Sequence, residues 1–319
     1  MSDVVHLINN LNHGGAQSTL RQLNVINRTY VLHGKEGLSI FKLFFLIISS
    51  RKTIIINSWL YHSSLIACIL KIFCKKKLKV FVNIRNGYAS PNDIKFLTRC
   101  VVRVLSYIAP HNTERVIFCS QQSILEHQDN NLFKYTNNIV IRNGIKVKND
   151  PIPKKLLKFC MVARYEPQKN FVLLKEILRW FEDHSKELNI LTDKKDELKN
   201  FLDFSSNYIN IYDNNDISVK EIMSNASHHI LISKSEGFAN VNLEALSSGC
   251  SLLCTRVGDA DIFPKKWCSI VKPDALHIKE TLDHINQSFD VQKFNLEIKE
   301  KIEYLKKNFL PNKEEDYYV

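Results

Sequence analysis

The stretch that decides the fold is residues 228–255, HHILISKSEGFANVNLEALSSGCSLLCT. Its first six residues, rich in isoleucine and leucine, are typical of a strand that is covered on both faces. Gly237 permits a tight turn into a helix over 240–248, and a second apolar run occupies 251–255. A strand, a helix and a strand in this order predict a parallel β/α/β unit.

The same alternation extends over the whole chain in two blocks. In the first block we predict strands at 3–9, 29–33, 53–57, 79–84, 116–120 and 139–142, with helices at 16–27, 39–50, 63–75, 94–108 and 121–128. In the second we predict strands at 157–163, 188–192, 208–212, 228–233 and 251–255, with helices at 170–184, 217–225 and 240–248. Between the blocks, KVKNDPIPKKLL (146–157) has two prolines and is typical of a linker. We expect two doubly wound α/β domains, 1–150 and 151–319, with a charged amphipathic helix over 297–310 that could pack back on the first domain.

Composition restricts the class of protein. With 45% hydrophobic and 24% charged residues, the 319-residue chain has the balance of a folded soluble protein. Its eight cysteines have no CxxC spacing, which indicates free thiols and not a disulfide framework or a zinc site. The first residues lack a secretory pattern, and the apolar run 38–50 is too short to span a bilayer and contains Lys42, so it predicts a buried helix. We expect a cytoplasmic protein.

The net charge of +11 lies in the first half of the chain. Residues 1–150 hold 20 lysines and arginines against 7 acids, and the remainder holds 24 against 26. A basic first domain indicates an anionic partner, namely lipid headgroups, a phosphorylated lipid or nucleic acid. The alternative is a lysine-rich surface that serves only solubility.

Four loops follow predicted strands, and ligands of open α/β sheets bind at that edge. In NNLNHGGAQS (9–18), Gly14 and Gly15 allow close backbone approach before a helix, although a double glycine also suits a simple turn. In VARYEPQKN (162–170), Arg164 and Lys169 are two cations that suit a pyrophosphate, or two solvated side chains.

The other two loops contain acids. Glu236 precedes the helix that begins near Asn240, Glu244 lies one turn inside it, and the amides of Gly237 to Val241 can cradle an anion. An isolated glutamate pair at a helix start is also ordinary helix electrostatics. In TRVGDADIF (255–263), Asp259 and Asp261 suggest a metal, but a turn is the favoured interpretation because no third acid is near in sequence.

Together, HLINNLNHGGAQSTL, VARYEPQKN, SKSEGFANVNLEALSSG and TRVGDADIF resemble the motifs of the retaining glycosyltransferases of family 4. The resemblance covers nearly the whole chain and is more specific in the second half. It implies the GT-B fold, with two Rossmann-like domains facing a central cleft. It also implies that no metal and no cofactor are needed, since fixed cations and helix amides stabilise the leaving diphosphate.

The resemblance assigns roles in the donor site. Arg164 and Lys169 would hold the diphosphate, Glu236 the hydroxyls of the donor sugar, and Glu244 the ribose. Asp213, in the loop 212–218, would lie near the nucleobase, and Gly14 and Gly15 would give acceptor and diphosphate room. The backbone facing sugar and phosphate would be that of Gly237, Phe238, Ala239, Asn240 and Val241.

The first domain would bind the acceptor. His62 resembles the family's cleft histidine, although Trp59 could take that place and His62 could equally be an interior histidine. Arg85 and Asn86 follow a strand and could contact an acceptor phosphate or sugar. The segment 71–80 and the stripe Lys95, Arg99 and Arg103 could rest on anionic lipid, while the apolar residues of 94–108 could instead face the core.

The expected function is transfer of a hexose or N-acetylhexosamine from a nucleotide sugar, with UDP preferred, to a lipid-linked or lipopolysaccharide-type glycan acceptor in bacterial surface polysaccharide synthesis. The enzyme could be peripheral on the inner face of the cytoplasmic membrane. Two alternatives stay open, a GT-B nucleotide-sugar epimerase and a catalytically silent nucleotide-sugar-binding protein. The scarcity of acids in residues 1–150 disfavours the epimerase. Nucleic acid is disfavoured because no aromatic-basic recognition motif is present.

Overall fold

The computed structural model describes residues 3–12, 14–34, 37–75, 77–88, 94–147, 152–153 and 155–318. The chain divides into two compact units. The first contains residues 1–143, 236–238 and 311–319, and the second contains 144–235 and 239–310. Much of the predicted linker 146–157, including the predicted domain boundary at 150, lies outside the described residues.

The first unit is built on a seven-stranded sheet with the order β3-β2-β1-β4-β5-β6-β7, in which the neighbouring strands are parallel. Its strands are β1 (Asp3–Ile8), β2 (Thr29–Val31), β3 (Leu38–Ser39), β4 (Ile54–Trp59), β5 (Leu78–Ile84), β6 (Arg115–Phe118) and β7 (Asn138–Val140). Its helices are α1 (Gly15–Gln22), α2 (Ile40–Ser49), α3 (Tyr61–Phe73), α4 (Phe96–Asn112) and α5 (Gln121–Asp129).

The helices of the first unit cover both faces of the sheet. Buried residues of α2, α3, α4 and α5 share one core cluster, whereas those of α1 belong to a second cluster with Trp59 and Tyr317. The strand order reverses at β1, so the crossovers on its two sides run in opposite directions along the sheet. Because each crossover is right-handed, the helices of the two sets lie on opposite faces of the sheet.

The chain's last residues, 311–319, belong to the first unit. Tyr317 is fully buried, with its ring centroid 5.1 Å from that of Trp59. Glu314 lies 3.1 Å from the imidazole of His6 and 2.6 Å from the guanidinium of Arg28. Burial lowers the pKa of His6, whereas its hydrogen bond lowers the pKa of Glu314. Tyr317 therefore anchors the tail in the interior of this unit.

The second unit is built on a six-stranded sheet with the order β10-β9-β8-β11-β12-β13, again with parallel neighbours. Its strands are β8 (Phe159–Val162), β9 (Leu188–Leu191), β10 (Ile209–Tyr212), β11 (His228–Leu231), β12 (Ser251–Thr255) and β13 (Cys268–Val271). Its helices are α6 (Phe171–Asp183), α7 (Lys195–Leu202), α8 (Val219–Ser224), α9 (Asn240–Ser247), α10 (Ala275–Ser288) and α11 (Val291–Asn308).

The predicted alternation of strands and helices is confirmed, with shifts of a few residues at the ends. The pattern missed three elements of the second unit, α7, β13 and α10. The predicted last helix, 297–310, begins earlier as α11 and lies within the second unit, and only the tail after it belongs to the first. All eight cysteines are free, as predicted, and six of them are buried.

One prediction was wrong. The segment 38–50 was predicted to form a buried helix, but α2 exposes most of its surface, and Phe41 and Phe45 are 74% and 73% exposed. Leu43 and Ile47 are the buried residues of this helix, and Ile40 and Leu46 pack against the same core while partly buried. Within the described residues, no helix is both long enough and apolar enough to cross a bilayer.

Candidate functional site

Two loops of the second unit meet beyond the carboxyl ends of β8 and β11, which are neighbours in the sheet. The backbone N–H of Lys234 donates to the carbonyl oxygen of Gln168 at 2.8 Å. The side-chain amide of Gln168 donates in turn to the carbonyl oxygen of Ser235. The loop that carries Arg164 and Lys169 is therefore fastened to the residue directly before Glu236.

The loop after β8 makes one turn of 3-10 helix at Pro167–Lys169. Asn170 then adopts the left-handed conformation, with φ of 58°, and redirects the chain into α6. The guanidinium of Arg164 is largely exposed and lies 3.0 Å from the carboxylate of Glu166. Lys169 is half-buried at the end of the turn. The two cations thus lie at opposite ends of the loop, and Lys169 is the less exposed of the two.

His229 of β11 is a site residue that the sequence analysis missed. Its Nε2 accepts a hydrogen bond from the backbone N–H of Val162 at 3.4 Å. Burial lowers the pKa of His229 to about 3, and the nearby charge of Lys169 acts in the same direction. The imidazole is therefore neutral at pH 7. The signal in the sequence was the placement of a polar residue inside the strand 228–233.

The start of α9 suits an anion. The residue before the helix, Ala239, offers no side-chain cap, and the first turn holds no acid. The first backbone N–H groups of a helix carry partial positive charge and lack intrahelical partners. Phe238 and Ala239 are both 6% exposed, so this backbone is enclosed, and Asn240 and Val241 form the first turn.

The two glutamates occupy different surroundings. Glu236 is 8% exposed. Glu244 is solvent-exposed on α9, yet partial desolvation by the surrounding protein raises its pKa above the ordinary value. An ionised carboxylate accepts hydrogen bonds, and sugar hydroxyls are among the groups that could donate them to either side chain.

Gly237 sits in a space that admits no side chain. A Cβ atom there would lie 2.1 Å from the carbonyl oxygen of Arg85 and 2.9 Å from the Cys119 sulfur. All three residues belong to the first unit. Contacts below 3.0 Å would force backbone movement. The glycine is required by close packing, since its φ lies outside the left-handed region.

Asp213 caps a turn after β10. Its carboxylate accepts the N–H of Asn215 at 2.7 Å, and its own N–H donates to Asp216 at 3.0 Å. The Asp216 carboxylate also accepts from the ammonium of Lys195 at 2.6 Å. The loop 212–218 is therefore an ordered turn at the end of the second unit's edge strand.

The loop after β12 is a turn with no cluster of metal ligands. Asp259 is buried in the left-handed conformation at φ of 59°, and Asp261 lies 3.8 Å from Arg256. Across the described ranges, no group of three or more histidine, cysteine, aspartate or glutamate side chains could hold a metal ion.

In the first unit, Gly14 and Gly15 begin α1 as predicted, but the space beside Gly14 is occupied. A Cβ at Gly14 would lie 2.4 Å from the side-chain oxygen of Gln17. Gln17 is itself 8% exposed and its amide donates to the carbonyl oxygen of Asn10 at 3.3 Å. The Gln17 side chain therefore fills the space where a Cβ of residue 14 would lie.

The structure separates the two candidates for the cleft histidine. Trp59 is fully buried, and its indole N–H donates to Nδ1 of His6 at 3.1 Å. His62 is half-buried in the first turn of α3, next to Ser63, whose N–H donates to the Asn9 side chain at 3.1 Å. Of the two, only His62 lies where a ligand could reach it, beside the loop that follows β1.

Arg85 and Asn86 follow β5. The guanidinium of Arg85 lies about equally far from the rings of Trp59 and Tyr317, at 5.0 and 5.1 Å. Its Nη1 donates to the carbonyl oxygen of Ile141 at 3.0 Å, whereas Nε and Nη2 are buried and have no hydrogen-bond partner among the described residues. The side chain of Asn86 is exposed.

Comparisons with known proteins agree with this architecture. Residues 144–289 match the model of the family Glycosyl transferases group 1. A search of curated protein sequences found no match. Among solved structures, HepE from Anabaena in complex with UDP superposes with a TM-score of 0.73 at 15% identity, covering 97% of this chain and 96% of HepE.

Two synthases are similarly close in structure. Sucrose-phosphate synthase from Thermosynechococcus elongatus has a TM-score of 0.73 at 14% identity, with 97% of this chain and 95% of that chain covered. The alpha,alpha-trehalose 6-phosphate synthase from Burkholderia multivorans has a TM-score of 0.69 at 11% identity, with 97% and 95% covered. With two parallel-sheet α/β units and these neighbours, the chain has the GT-B fold.

Proposed function

We propose that this glycosyltransferase, in which residues 144–289 match the group 1 family, moves a hexose or N-acetylhexosamine from a UDP-sugar to a lipid-linked or lipopolysaccharide-type glycan. The polymer would be a bacterial surface polysaccharide. One observation carries the donor half of the proposal. The loop that bears Lys169 is hydrogen-bonded to the loop that leads into α9, whose N-cap residue Ala239 offers no side-chain cap. HepE supports the choice of donor, since its structures hold UDP and UDP-glucose.

The donor site would work by electrostatic stabilisation. Glycosyl transfer builds negative charge on the departing diphosphate, and a fixed ammonium and helix N–H groups stabilise that charge without reorganising. Lys169 would supply the ammonium, and residues Gly237 to Val241 the backbone N–H groups. Because His229 is neutral at pH 7, it adds no positive charge that competes with Lys169.

The remaining roles follow the family resemblance. Glu236 would accept hydrogen bonds from the donor sugar, Glu244 from the ribose, and Arg164 would turn from Glu166 to the diphosphate when the donor binds. Asp213 would lie near the nucleobase, and no metal cofactor is proposed. Gly14 and Gly15 would give the diphosphate and the acceptor room, and His62 would take part in catalysis. Arg85 and Asn86 would bind the acceptor. Two nitrogen atoms of Arg85, Nε and Nη2, have no hydrogen-bond partner within the described residues.

The acceptor half rests on charge. Residues 1–150 carry 20 basic and 7 acidic residues, so the first unit suits a phosphorylated lipid-linked acceptor at an anionic membrane. We propose peripheral attachment to the inner face of the cytoplasmic membrane.

Nucleotide release tests the proposal directly. The purified chain is incubated with UDP- and GDP-sugars, with and without bacterial lipid extract, and the released nucleotide and the anomeric configuration of the product are measured. We expect acceptor-dependent UDP release with retention. Isomerised sugar without acceptor would support the epimerase instead, and binding without turnover would support the silent protein.

Variants test the site. Lys169→Ala and Glu236→Ala should each lower kcat about 100-fold or more, the usual effect of removing one electrostatic contact to the transition state. Lys199→Ala and Glu182→Ala, at exposed positions of α7 and α6, are matched controls that should keep full turnover. If the two site variants retained wild-type turnover, the assignment of Lys169 and Glu236 would be wrong.

A further inference from the structure

Helix α2 presents an apolar stripe to solvent. Its members are large side chains at spacings of three, four and seven residues, which places them on one helix face. They are Phe41, Phe44, Phe45 and Ile48, with exposures of 74%, 52%, 73% and 62%. The opposite face carries Leu43 and Ile47, which already fill the core. Folding of the first unit therefore gives no reason for the outer stripe to be apolar.

The stripe continues onto the end of α3. Ile47 and Ile48 line an open groove together with Ile72 and Phe73, and Phe73 is 81% exposed. The ammonium of Lys77 donates to the carbonyl oxygen of Ile48 at 3.2 Å, which fastens the end of α2 to the segment after α3. The two helices thus expose one continuous apolar surface on the same side of the sheet.

The charged residues of the segment that holds α2 and α3 all have one sign, although Glu114, from outside this segment, lies 3.8 Å from Lys71 of α3. No aspartate or glutamate occurs between Glu36 and Asp93, whereas nine lysines and arginines do. The exposed ones near α2 and the end of α3 are Lys42, Arg51, Lys52, Lys75 and Lys77. A second copy of the chain seated on this face would bring like charges together, so the charge favours an anionic occupant.

We propose that α2 is a membrane-insertion helix. The stripe of Phe41, Phe44, Phe45 and Ile48 enters the boundary between headgroups and acyl chains of an anionic bilayer, and the surrounding lysines and arginines contact the headgroups. At ten residues, α2 is far too short to span the bilayer and lies in its plane. This role of α2 rests on the membrane attachment in the proposed function and names the surface that makes it. Vesicle binding can be measured without sugar transfer.

Vesicle flotation tests the proposal with the full chain. Wild type should float with vesicles of phosphatidylcholine and phosphatidylglycerol, more weakly at high salt, and bind pure phosphatidylcholine much less. The triple variant Phe41→Ser, Phe44→Ser, Phe45→Ser should bind the mixed vesicles about 100-fold more weakly or worse, because each ring loses its burial in lipid.

Matched controls keep the result interpretable. Leu276→Ser and Leu296→Ser remove side chains that are 66% and 78% exposed on α10 and α11, and they should leave vesicle binding unchanged. The triple variant should keep wild-type Tm and UDP binding, since the replaced rings are exposed.

In the variant Phe45→Trp, tryptophan emission should shift to the blue and be quenched by brominated acyl chains when vesicles are added.

Three results would overturn the inference. They are equal flotation of wild type and triple variant, absence of quenching at Phe45→Trp, and a dimer that the triple variant dissociates, which would make a second copy the occupant. Failure of the proposed function is distinguishable, because it would appear as vesicle binding without nucleotide release.

Discussion

The buried lysine of α11 gives a prediction with a worked magnitude. Lys301 is fully buried, and its ammonium donates to the carbonyl oxygen of Gly249 at 3.2 Å and to the Ser251 hydroxyl at 3.0 Å. It also lies 3.9 Å from the centroid of the Phe294 ring. Burial lowers the pKa of Lys301 from 10.5 to about 8. Since Gly249 follows α9 directly, this lysine supports the helix proposed to bind the donor.

The direction of the pH effect follows from proton linkage. Between pH 8 and pH 10.5 the unfolded chain holds a proton at Lys301 that the folded chain has released, so the free energy of unfolding rises with pH over this window. Integrated from pH 7 to pH 10, this one group adds about 2.5 kcal/mol to stability. Below pH 8 the folded and the unfolded chain both hold the proton at Lys301. Folding then buries a charged ammonium, which lowers the free energy of unfolding at all these pH values.

The variant Lys301→Met removes the titrating group and keeps most of the apolar stem. The stability advantage of wild type over this variant should therefore grow by about 2.5 kcal/mol between pH 7 and pH 10. Groups remote from Lys301 titrate alike in both proteins and cancel in the difference, whereas Cys250 and Lys155 interact with its charge and do not cancel fully. Lys299→Met, at an exposed position of the same helix, is the control and should show no such trend.

Urea unfolding at several pH values measures the difference. Tryptophan fluorescence reports on the second unit through Trp180 and Trp267, which are both nearly buried. A wild-type advantage that stays constant from pH 7 to pH 10 would refute the reasoning, because Lys301 would then titrate alike in the folded and unfolded chains.

Two further predictions concern packing and a helix cap. Gly237→Ala should lower the free energy of unfolding by about 2 kcal/mol or more and abolish turnover. The reason is that the new methyl group would lie 2.1 Å from the carbonyl oxygen of Arg85. An unchanged Tm in thermal unfolding would contradict this prediction. Asp290→Ala should cost about 1 kcal/mol in urea unfolding, because the Asp290 carboxylate accepts the N–H groups of Gln292 and Lys293 at 2.8 and 3.0 Å. Asp290→Asn keeps an acceptor and should cost much less, and equal losses in both variants would exclude a capping role.

Most elements of the second unit were readable from local sequence. The alternation of apolar strands with helices predicted nearly all of the sheet, because a strand buried on both faces needs a continuous apolar run. The turn at Gly237, the helix from Asn240 and the loop of Arg164 and Lys169 were also predicted, since each depends on a few adjacent residues. His229 was missed because its polar placement in the strand is shared with His228, and only the tertiary structure shows which of the two lies near Lys169.

The sequence by itself determined the parallel α/β class, the positions of the loops at the strand ends and the concentration of basic charge in the first half. Only the tertiary structure decided which surfaces meet. It placed Trp59 beneath His6 and Tyr317, filled the space at Gly14 with Gln17, and left the apolar face of α2 uncovered. Each of these depends on contacts between segments far apart along the chain or on whether another element covers a face. Helical periodicity shows that a segment is apolar on two faces, but it carries no information about what lies against the second one.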